Sequence, residues 1–60
     1  MVIYPKDIER ITGKKTRAAY NYFNMIKGKL GKGDSDLLSV DEFCTVTGFN
    51  REKVEEYIID

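Results

Sequence analysis

Apolar residues recur along this chain at helical intervals. Ala19, Phe23, Ile26 and Leu30 are spaced four, three and four apart, one face of a helix, and Ala18, Tyr22 and Met25 widen that face. Val54, Tyr57 and Ile58 repeat the pattern near the end. Helix starts are marked by their caps. Ser39-Val40-Asp41-Glu42 reads as a capping box, with Leu38 and Phe43 at the two staple positions. Pro5 suits the first turn of another helix, with Ile3 and Ile8 as its staple. Asn50 is a good N-cap for the last. Both short helices run into a Thr-Gly pair, Thr12-Gly13 and Thr47-Gly48, where glycine accepts the left-handed backbone that ends a helix. No run alternates as a strand does. The pattern predicts helices over 5–12, 16–30, 39–47 and 51–59 and no sheet.

The two halves align at an offset of 35. Ile3 falls on Leu38, Asp7 on Glu42, Ile8 on Phe43, Thr12-Gly13 on Thr47-Gly48, Ala19 on Val54 and Tyr22 on Tyr57. The expected fold is therefore an all-α, compact four-helix single domain, 1–60, built from two tandem helix-turn-helix-like units. A first unit over 3–31 and a second over 38–60 are joined by a glycine-rich loop, 31–37. Phe43, Phe49, Tyr22, Phe23 and Tyr57 are expected in the core, with Cys44 as a small buried hydrophobe.

Charge divides along the same line. The chain holds ten basic and ten acidic residues. Residues 1–33 carry eight cations and two acids, a net +6, and residues 34–60 the reverse, a net −6. The absence of histidine removes Ser/His/Asp and Cys/His catalysis. A single cysteine removes an internal disulfide. At 60 residues the chain has room for one small core and no deep substrate cavity. Asp34-Ser35-Asp36 lacks the glycine and glutamate of a calcium loop, and Gly28, Gly31 and Gly33 lack the ending of a phosphate loop. The Met1–Asp7 stretch has no signal-peptide pattern, and no apolar run reaches membrane-span length. The expectation is a cytoplasmic protein, not an enzyme, with no cofactor, no metal, no small-molecule substrate and no membrane partner.

With the apolar face of 16–30 turned inward, its outer face carries Arg17, Tyr20, Asn21, Asn24 and Lys27, and Lys14, Lys15 and Thr16 stand at its N-terminal end. Arginine can make a bidentate contact to guanine and asparagine to adenine, while lysine and threonine suit phosphate oxygens at a helix N-terminus. No acid occurs between Lys14 and Gly33. The expected partner is double-stranded DNA, with Lys6, Lys29 and Lys32 as further candidate phosphate contacts.

Ile8-Glu9-Arg10-Ile11-Thr12-Gly13-Lys14 followed by Thr16-Arg17-Ala18-Ala19-Tyr20 resembles small bacterial and phage helix-turn-helix DNA-binding proteins, the excisionase and MerR-like groups foremost. The whole chain resembles short two-unit proteins carried on mobile elements. The resemblance implies a recognition helix beginning at Lys15 or Thr16, with Arg17, Tyr20 and Asn21 facing bases. It implies a transcriptional regulator or a recombination accessory factor. Lys15 stands where those proteins often place a serine or threonine N-cap, which moves the expected cap to Thr16. No wing follows the helix.

The second unit carries Glu52, Glu55 and Glu56 where the first has Arg17, Tyr20 and Asn21. Phosphate would repel that face. It is expected either to complete the core or to bind protein, a second copy or a basic partner. The alternative function is accordingly a phage- or plasmid-borne adaptor or inhibitor that works through the acidic helix pair.

Overall fold

A computed structural model describes residues 1–58. Its elements are β1 (Val2–Ile3), α1 (Pro5–Thr12), α2 (Thr16–Lys29), β2 (Leu38–Ser39), α3 (Val40–Thr47) and α4 (Arg51–Tyr57). The chain is mostly helical, as expected, with one addition. β1 and β2 pair antiparallel, Val2 with Ser39 and Ile3 with Leu38, so the fold is not purely α. Two-residue strands carry no periodicity to read. The last helix ends by Ile58, whose backbone is extended; residue 59 of the expected span lies outside the described residues.

The internal match extends to hydrogen bonds. Before α1, the Tyr4 N–H donates to Asp7 Oδ2 at 2.9 Å; before α3, the Ser39 N–H donates to Glu42 Oε1 at 3.0 Å. At the other ends, Thr12 Oγ1 donates to the Ile8 carbonyl (2.6 Å) and Thr47 Oγ1 to that of Phe43 (2.7 Å). Gly13 and Gly48 then turn the chain at φ 75° and 80°, where a Cβ is unfavourable. The caps differ in one respect. Ser39 Oγ accepts from the Glu42 N–H, completing a capping box, whereas Tyr4 supplies no side-chain cap.

The two helix pairs pack across each other. α1 meets α2 and also α4; α3 meets α4 and also α2. Equivalent residues Ile3 and Leu38 face one another in the strand pair. Antiparallel pairing of equivalent residues, with exchanged helix contacts, is what an approximate two-fold relation between the halves produces. The core straddles that relation: Ile3, Ile8, Ala19 and Ile26 meet Leu38, Val40, Phe43 and Val54, all essentially inaccessible. The four staple residues are all among them, and Cys44 is half-buried against the cluster.

Other inward assignments change. Ala18 and Met25 are exposed, because the packed face of α2 is narrower than its apolar stripe. Phe49 and Tyr57 are exposed rather than core. Phe49 lies beyond Gly48 and stacks on the outside of Phe43, ring centroids 5.6 Å apart. Among the described residues no helix is long and apolar enough to cross a membrane.

Candidate nucleic-acid interface

α2 is positioned by the Thr12-Gly13 turn. Lys14 N–H donates to Thr12 Oγ1, and the chain enters α2 with Lys15 as its N-cap residue. The cap does not move to Thr16, which is the first helical residue. Instead, Thr16 Oγ1 donates to Glu9 Oε1 across the turn at 3.3 Å.

Arg17, Tyr20, Asn21 and Asn24 all reach solvent, as do Lys15 and Thr16. Among the described residues Arg17 enters no ion pair. A shallow groove beside them is lined by Pro5, Lys6, Glu9, Thr16, Arg17, Tyr20 and Asn21. Helix periodicity alone gives the α2 contributors; Pro5, Lys6 and Glu9 enter from α1 by tertiary packing. Glu9 is a residue the sequence reading missed. It places one carboxylate on a face expected to be free of acid, and its proximity to Thr16 follows only once the turn is closed.

Three expected cations behave differently. Lys27 is corrected: it is buried, not outward, with 5% exposure. Its Nζ donates to the Asp34 carbonyl at 3.1 Å and lies 5.2 Å from the Phe23 ring centroid. The ammonium thus ties the 31–37 loop to α2, and burial is tolerated because the charge has a carbonyl and an aromatic face. Lys32 is half-buried and paired with Glu42 at 3.0 Å, which occupies its charge within the protein. Lys14 remains exposed, but its Nζ lies 5.2 Å from the Tyr22 centroid, off the groove. Lys6 and Lys29 are exposed. The outward strip of α2 between its basic ends is Arg17, Asn21 and Asn24 with Ala18 and Met25.

The second unit's equivalent face is exposed at Glu52 and Glu56 and half-exposed at Glu55. It also contains a cation. Arg51 spans Asp41 of α3 (2.9 Å) and Glu55 of α4 (3.1 Å). The Glu55 hydrogen bond, with the Asp41 charge, raises the Arg51 pKa further. Nearby, burial and then the Asp41 carboxylate push the Cys44 thiol up, away from a reactive thiolate. Glu42 is held below its ordinary value by the Ser39 N–H first and by Lys32.

No family model, curated protein or solved structure matches this chain.

Proposed function

We propose that this is a non-catalytic, double-stranded-DNA-binding protein, a transcriptional regulator or recombination accessory factor, that reads duplex through its first helix pair. One observation carries the reading. Arg17, Asn21 and Asn24 stand exposed on the outer side of a 14-residue helix. The Gly13 turn and α1 brace its N-terminal end. This is the arrangement in which a second helix enters a major groove about 12 Å wide and presents its first turns to base edges. α2 is about 21 Å long at 1.5 Å per residue, enough to lie in the groove. Arg17 suits guanine, Asn21 and Asn24 suit adenine, and Tyr20 can pack on a sugar or a thymine methyl. Lys15, Thr16 and Lys6 suit flanking phosphates, with Lys14 and Lys29 nearby. Glu9 fits an acceptor for a cytosine amino group better than any phosphate contact.

Binding to mixed duplex fragments across a salt series tests the reading. Log affinity should fall with log salt by about 0.9 per neutralised phosphate. Arg17→Glu should cost about 3 kcal/mol, roughly a hundredfold. Absence of binding at low salt, or indifference to Arg17→Glu, overturns it. A second reading, an adaptor or inhibitor working through α4, is supported by Glu52 and Glu56, exposed and in no ion pair among the described residues. It predicts that Glu52→Lys/Glu56→Lys abolishes partner capture. The DNA reading predicts that the same variant keeps or gains DNA affinity.

A further inference from the structure

Where the end of α1 meets α4, an apolar groove is lined by Ile11, Phe49, Asn50, Lys53, Val54 and Tyr57. Phe49 is 41% and Tyr57 46% exposed. The internal repeat shows how the related place is covered. At the 35-residue offset Phe49 corresponds to Lys14 and Tyr57 to Tyr22. In the first half Lys14 lies over the Tyr22 ring. In the second half Phe49 turns onto Phe43, and among the described residues no cation covers Tyr57. α4 itself carries both signs beside the groove, with Lys53 one turn before Tyr57 and Glu56 next to it.

We infer that a second copy of this chain docks on this groove about a two-fold axis, α4 against α4. A two-fold axis perpendicular to the helices runs them antiparallel and makes every contact twice. Lys53 of one copy then faces Tyr57 and Glu56 of the other, supplying the cation that the first half supplies from within. The strip is complementary to itself in charge. A wholly basic partner would meet Lys53, and a wholly acidic one Glu56. Phe49 and Tyr57 would be the apolar anchors, consistent with the enrichment of aromatics at interface centres. The groove shares no residue with the one beside Arg17, so both α2 faces stay open and the inference does not depend on DNA binding.

Sedimentation equilibrium of the full chain without DNA, from micromolar to millimolar, tests it. Wild type should show a monomer–dimer equilibrium. Lys53→Glu should weaken association by about tenfold, since like charges then face each other across the axis. Lys53→Glu/Glu56→Lys should recover part of the loss, because the 53–56 charge pair returns while the cation over Tyr57 does not. Tyr57→Leu, which keeps apolar bulk and removes the π-face, should weaken it several-fold; far-UV circular dichroism checks that each variant is folded. Arg17→Glu should leave association unchanged. A wild type that stays monomeric throughout, or a dimer indifferent to Lys53→Glu, overturns the proposal. An exchange variant that associates no better than Lys53→Glu overturns the two-fold arrangement.

Discussion

The junction of α1 with α2 and the corresponding junction of α3 with α4 share a backbone plan and differ in what crosses them. In the first unit Lys6, Thr16 and Tyr20 line an open furrow. In the second, the corresponding Asp41, Arg51 and Glu55 form a chain of ion pairs across the helix junction. The carboxylate half of each cap, the Thr-Gly turns and the buried staples are shared, so they set the scaffold. The three positions at the helix junction differ: in the second unit they pair with one another, and in the first, among the described residues, only the Thr16 side chain bonds within the protein, to Glu9. The contrast is one of side-chain pairing more than of formal charge.

The strongest way to break the equivalence is through the core. Phe43→Ala should cost about 3–5 kcal/mol and Ile8→Ala, at the matching position, about 2–5. A 60-residue domain has little more than that in total, so thermal circular dichroism should show either variant largely unfolded. A mild effect at one site only would mean that the halves do not support the fold equally. Next comes a transplant. Lys6→Asp/Thr16→Arg/Tyr20→Glu should close the first furrow as Arg51 closes the second. DNA affinity should fall roughly a hundredfold, about 2.7 kcal/mol, with the melting temperature little changed. Loss of folding instead would show that these positions are structural.

The turns sharpen the comparison at lower cost. Gly13→Ala and Gly48→Ala, at nearly equal positive φ with open space around each Cβ, should each cost about 1–2 kcal/mol, and by similar amounts. Chemical denaturation reads the pair. The smallest effect concerns acid. In the folded chain the Ser39 N–H, and then Lys32, hold the Glu42 carboxyl below its ordinary, unfolded value. Its contribution to stability is therefore whole above that unfolded value and fades as pH falls through the lower folded one. Glu42→Gln should flatten the stability profile in that window.

Much of this fold is legible in the chain because its helix ends are written locally. Ser39 with Glu42, Asn50, Gly13 and Gly48 fixed boundaries that fell within one or two residues of those observed. What escaped is tertiary. Ile3 and Leu38 read correctly as staples, but nothing local says that they pair as strands. Lys27 sits on the flank of α2, and only the return of the 31–37 loop covers it. The candidate interface divides likewise: Arg17, Asn21 and Asn24 follow from helix period, while Glu9 and Lys6 join them through packing. Phe49 and Tyr57 have the spacing of core residues, yet Phe49 stacks on the outer side of Phe43 and Tyr57 is exposed, a distinction that apolar spacing does not carry.

The two-residue strand pair has a kinetic consequence. Each helix pair is assembled from contacts between near neighbours, which favours fast folding. Joining Ile3 to Leu38 instead encloses the whole first unit in one loop. Chain-closure entropy must be met before that contact contributes, and it grows only slowly with loop length. Lengthening the glycine-rich connection should thus alter the folding rate modestly, whereas substitution at Ile3 or Leu38 tests whether the halves meet before or after the rate-limiting barrier.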